Sequence, residues 1–174
     1  PTVRAPTGRE ARTATPSAEA RALVDAVTTA TPGSALRRLL EVRVPELMAY
    51  QDAAYARRYV EFVDKVAQAE ARAVSGRTGL GESVARHLHK LMAYKDEYEV
   101  ARLHLDAALQ AELHARFGPR IKVFWHLHPP LLRALGLKKK LKLGRWFRPA
   151  FQTLYALRRL RGTALDPFGG AEVR

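Results

Sequence analysis

Cysteine is absent from all 174 residues. That excludes disulfides, thiolate zinc sites, cysteine-ligated iron–sulfur clusters and a cysteine nucleophile. No apolar run approaches the roughly 20 residues that span a bilayer, and the N-terminus has no apolar signal core. These absences suit a soluble, cytoplasmic chain with no membrane partner. Catalytic signatures are missing too. There is no Gly-x-Ser-x-Gly elbow, and neither Gly76–Gly79 nor Gly118-Pro119 carries the Gly-Lys-Ser/Thr of a phosphate loop. Acidic residues, finally, are missing from one long interval, between Glu112 and Asp166.

That interval, from Arg116 to Arg161, holds 13 basic residues, as many as the formal net charge of +13. The other 17 basic residues balance the 17 acidic ones. One segment therefore carries the whole excess, and its field attracts an acidic partner. Apolar residues make up 47% of the chain, enough for a real core and far above disordered composition. Residues 1–15 read as a linker or frayed start, 16–170 as a single helical domain, and 171–174 as a truncated tail. Pro1 stands where an initiator methionine would be, which suggests a fragment or a processed chain.

Thr15-Pro16 opens a predicted short helix through Leu23, Val24 and Val27, closed by Thr31-Pro32-Gly33. Ser34 caps a second, with Leu36, Leu39 and Leu40 on one face, as far as Pro45. Pro45 then starts a long helix to about Ala73, with Tyr55, Tyr59, Phe62, Val66, Ala69 and Ala73 as its apolar seam. After a turn at Ser75–Gly79, another long helix runs from about Leu80 to Leu105. Its seam is Val84, His87, Leu91, Tyr94, Tyr98, Ala101 and Leu105. Two long seams joined by a short turn predict an antiparallel helical hairpin, Pro45–Leu105. Asp106 caps Ala107–Phe117, and Gly118-Pro119 stops it. Residues Arg120–His128 alternate as a strand ended by Pro129-Pro130, with Leu137, Leu141 and Leu143 as its partner. A last helix covers Trp146–Leu160 and packs on the hairpin, with Gly162 as its stop. The predicted fold is mainly α, a long antiparallel helical hairpin plus shorter helices, with a small two-stranded β element.

The densest polar cluster is Lys95, Asp96, Glu97, Glu99 and Arg102. On one helix Lys95–Glu99 and Glu99–Arg102 are spaced to pair. The cluster is either an ionic latch docking this helix against another domain or a solvated face. Exposed pairs on such a face contribute about 0–1 kcal/mol each. Asp96 and Glu97 diverge by about 100° on a helix and form no acid/base dyad. His126 and His128 share a strand face, but no third metal ligand follows them, so no metal site is expected. A basic patch is expected at Lys138, Lys139, Lys140, Lys142, Arg145 and Arg148. No catalytic or cofactor-binding residue is assigned.

Three stretches carry a resemblance: Ala49–Tyr59, Lys90–Leu103, and Phe124–Leu131 taken with Arg161–Gly169. In this order, over about Leu47–Gly169, they resemble the helical domain of unknown function near the C-terminus of single-chain indolepyruvate ferredoxin oxidoreductases, members of the 2-oxoacid:ferredoxin oxidoreductase family. The resemblance implies a parent enzyme that oxidatively decarboxylates aryl-pyruvates with coenzyme A, using thiamine diphosphate and iron–sulfur clusters and passing electrons to ferredoxin. It does not imply cofactor sites here, because the Gly-Asp-Gly of a thiamine diphosphate motif and every cluster cysteine are missing. The family's usual small residue is His128 in this chain.

The expectation is a non-catalytic accessory or interface domain whose partners are other domains or subunits of the parent. In this reading the basic segment lies on an acidic neighbouring surface. Second in order, it steers an acidic ferredoxin or holds coenzyme A phosphates. The alternative is a free-standing basic nucleic-acid-binding helical module, with Trp125, Trp146 and Phe147 as stacking faces.

Overall fold

The computed structural model describes residues 17–74, 76–127 and 141–169. Seven α-helices and a two-stranded antiparallel sheet make these residues mainly α. They fall into two units, divided between Ala93 and Tyr94. Four helices build the first: α1 (Ala18–Asp25), α2 (Ala35–Tyr50), α3 (Ala53–Ala73) and α4 (Gly79–Met92). The second holds α5 (Glu97–Leu105), α6 (Ala107–Phe117), β1 (Trp125–Leu127), β2 (Leu141–Leu143) and α7 (Arg148–Ala156), with 3-10 turns at Arg145–Phe147 and Leu157–Leu160. The predicted start at Thr15-Pro16 lies outside the described residues. Ser34 caps α2 through the Arg37 N–H, as predicted, whereas α1 is capped by Ser17, which accepts the Ala20 N–H, and not by the expected Thr15.

Pro45 does not end α2, as the sequence reading expects; the helix continues to Tyr50. A proline inside a helix removes a hydrogen bond and clashes with the preceding turn, at about 3 kcal/mol. Against that, Leu36, Leu40, Val44 and Leu47 form one row and are buried to 3% exposure or less. Each contributes about 1.5–3 kcal/mol. Burial wins. The true break comes at Gln51-Asp52, where the Asp52 carboxylate accepts the Tyr55 N–H at 2.8 Å and starts α3.

The seam of α3 is also corrected. Its buried row is Ala56, Tyr59, Val60, Val63 and Ala67, while Phe62 is half exposed. Tyr59 is buried as expected, but helical periodicity admits either of two adjacent rows around it, and the rest of the buried row is the smaller one. On α4, Gly81 and Ala85 are buried, whereas His87 and Leu91 face outward, Leu91 at 77% exposure. Small residues win here because the helices approach closely: a Cβ on Gly81 would lie 3.1 Å from the Ala67 Cβ. The hairpin is thus α3–α4, antiparallel. Ala67 meets Gly81, Tyr59 Oη donates to the Ala85 carbonyl at 2.8 Å, and Tyr55 Oη donates to Met92 O at 2.9 Å. Thr78 makes no side-chain cap for α4. The Glu70 carboxylate of α3 does so instead, accepting the Leu80 and Gly81 N–H groups at 2.9 and 2.8 Å.

The predicted helix Leu80–Leu105 is likewise two helices. Ala93 leaves helical geometry (φ −93°, ψ 58°), and Asp96 begins α5 by accepting the Glu99 N–H. In the second unit α5 packs on α7. Asp106 caps α6 and Gly118, at φ +89°, follows its end, both as predicted. The alternation holds from Ile121 to His126, but strand pairing is confined to Trp125–Leu127, with Trp125 opposite Leu143. His128, Pro129-Pro130 and Leu137 lie outside the described residues. The last predicted helix is a 3-10 turn, α7 and a second 3-10 turn, closed by Gly162 at φ +73°.

Candidate functional site

The predicted charged cluster resolves into three fates. Asp96 is buried at 6% exposure and faces inward. Beyond its cap bond, its carboxylate takes both the Nε–H and the Nη2–H of Arg161, the latter at 2.8 Å. Both side chains of this pair are more than nine-tenths buried. Glu99 and Arg102 form a two-pronged pair at 2.7 and 2.6 Å along α5. Lys95 precedes the helix and is exposed, so the expected Lys95–Glu99 pair does not form; Glu97 is half-buried on the first turn.

The ionic latch therefore closes the second unit on itself. The Arg161 guanidinium also lies 5.2 Å from the Tyr98 ring centre. Tyr98 is fully buried and donates to Asp166 Oδ1 at 2.8 Å, and Phe168 packs edge-on against its ring. Asp166 in turn accepts the Gly162 and Phe168 N–H groups at 2.8 and 3.1 Å. Two of the sequence stretches singled out above, Lys90–Leu103 and Arg161–Gly169, thus meet through Asp96, Tyr98, Arg161 and Asp166. Sequence reasoning placed Arg161 in the basic excess and missed its partner, which lies 65 residues away.

The basic patch is divided. Lys138, Lys139 and Lys140 lie outside the described residues. Lys142 is exposed with its ammonium 4.1 Å above the Phe124 ring, and Arg145 and Arg148 are exposed on either side of Trp146. Trp146 is 72% exposed and Phe124 44%. Both rings close over Gly144, where a Cβ would meet Trp146 Cδ1 at 3.3 Å and Phe124 Cε1 at 3.5 Å. Behind them, Phe147, Phe151 and Trp125 stack edge to face at 5.1 and 5.5 Å, and Phe151 is buried. The result is an aromatic and cationic face on a rigid aromatic floor.

His104, which no sequence pattern singles out, packs against both Trp125 and Phe151, with ring centres 5.5 and 5.1 Å away. Burial, helped by the charge of Lys95, pushes its imidazole below the ordinary value of 6.5. The fold favours the neutral ring, so its contribution is fully present above about pH 6.5 and is lost as pH falls through the lowered value. Urea midpoints are expected to drop more for the native chain than for His104→Leu on acidification from about pH 7 to 5. Equal pH slopes would contradict this.

His126 is exposed on β1, and no group of three or more His, Asp or Glu side chains suited to a metal occurs among the described residues. No helix among them is long and apolar enough to cross a membrane. No curated protein and no solved structure matches the chain. Residues 36–174 do match a family model, so the chain belongs to DUF6537, a family of unknown function.

Proposed function

We propose that this chain is a non-catalytic accessory domain that docks against neighbouring domains or subunits of an indolepyruvate ferredoxin oxidoreductase-like enzyme. In that setting thiamine diphosphate, the iron–sulfur clusters and the oxidative decarboxylation of aryl-pyruvates belong to the rest of the parent. The sequence resemblance over Leu47–Gly169 supports the identity of the parent. The observation that carries the docking role is Trp146, 72% exposed beside Phe124 and flanked by Lys142, Arg145 and Arg148 in an acid-free interval. Exposed Trp and Arg on a preformed surface have the composition of interface hot spots. An acidic surface of a neighbouring domain is the first expected partner, and an acidic ferredoxin the second.

The test splits the parent, expressing this chain separately from the catalytic modules. Trp146→Ala, or Arg145→Glu with Arg148→Glu, is expected to weaken association at least about tenfold. Thiamine diphosphate and iron content should stay unchanged. Undiminished association would reject the reading. Micromolar binding of short RNA or DNA with a steep fall in added salt would instead favour the nucleic-acid-binding module.

A further inference from the structure

The charged surface of the second unit is not the only basic feature. In the first unit a pocket of about 380 Å³ lies between α2 and α4, lined by Arg43, Arg86, His87, His89, Lys90 and Ala93. Three of these are permanently cationic, and none of the six is acidic.

Its deeper wall is built before any ligand arrives. Tyr59, fully buried, holds its hydroxyl on the Ala85 carbonyl, and its ring and that of His89 lie steeply inclined with centres 6.3 Å apart. Arg43 Nη1 lies 2.8 Å from His89 Nδ1. A guanidinium can only donate, so Nδ1 accepts and the ring proton sits on Nε2. Two further N–H donors are then buried without an acceptor among the described residues, Arg43 Nε and His89 Nε2. His89 Nε2 has Glu46 Oε2 at 3.2 Å, but out of line for a hydrogen bond. On the outer wall, Glu82 takes one arm of Arg86 at 3.3 Å, which steadies that guanidinium while leaving its other donors available. Buried polar groups are ordinarily satisfied, so unmet donors beside a cationic pocket call for an oxygen-rich anion.

We propose that the pocket between α2 and α4 binds a phosphate group. Two guanidinium forks and an ammonium supply the charge and the divergent donors that a tetrahedral dianion accepts, beyond what one carboxylate could use. Arg43 and His89 are already immobilised by each other, so little side-chain freedom is lost on binding. This inference stands apart from the docking role of the second unit.

The test is isothermal titration of the 174-residue chain with inorganic phosphate, pyrophosphate and ADP at constant ionic strength. At least one is expected to bind with a dissociation constant of about 1 mM or tighter. The ring resonances of His87 and His89 should shift in step. Arg43→Met and Arg86→Gln are each expected to weaken binding about tenfold or more. Arg86 is exposed, so its variant is informative even where Arg43→Met folds poorly. Arg159→Gln, at an exposed position of the other unit, should change nothing. A preference for ADP assigns a nucleotide phosphate; a preference for phosphate or pyrophosphate assigns a free oxyanion. Flat titrations with all three, or equal weakening by Arg159→Gln and Arg86→Gln, would overturn the proposal.

Discussion

Replacing Asp96 with alanine is expected to destabilise the chain by about 3–5 kcal/mol. The large value follows from what is left behind. Arg161 would keep a charge that is more than nine-tenths buried, with its main counter-charge gone. The same substitution removes the cap on the Glu99 N–H, itself worth about 1 kcal/mol. The pair need not be strongly stabilising for its rupture to be costly, because two well-packed apolar residues can equal or exceed a buried ion pair. Hence Asp96→Ala combined with Arg161→Met should recover much of the loss. Urea unfolding of the two single variants and the double variant measures the coupling. An Asp96→Ala midpoint close to the native one would contradict the buried latch.

Leu47→Ala is expected to cost about 2–5 kcal/mol. Leu47 is fully buried in a cluster that includes Leu40, Val44, Tyr59 and Val63. Alanine is the better helix former, so any loss reports the cavity and not the helix. The matched control is Leu91→Ala. With 77% of its surface in water, it should stay within about 0.5 kcal/mol of the native chain. Comparable destabilisation of the two, read from urea midpoints, would mean that the assignment of buried faces is wrong.

The contrast between those leucines also shows how far the sequence could be read. Mainly helical architecture, the caps at Ser34 and Asp106, the stop at Gly118 and the pairing of Trp125–Leu127 with Leu141–Leu143 were legible, because each rests on local chemistry or simple alternation. The seams were not. Tyr55-Ala56 and Tyr59-Val60 put apolar residues side by side, so two rows of α3 fit the same period, and the close approach at Gly81 selects the smaller one. The length of the helices misled for a related reason. Asp96 looks like one member of a charged helical face until Arg161, from the far end of the unit, shows that it is a buried cap. The basic pocket was hidden in the same way, since Arg43 and His89 are 46 residues apart and each alone is an ordinary surface residue type.

Gly81 gives the first unit a fulcrum. There the α3 and α4 backbones touch across a missing side chain, with Ala67 Cβ 3.1 Å from where a methyl group would stand. His89 lies eight residues further along the same rod, about 12 Å away. Tyr59 tethers α4 to α3 through the Ala85 carbonyl between the two points, and Tyr55 through the Met92 carbonyl just beyond them, so a methyl group at Gly81 would strain the joint at its near end while the far end stays moored.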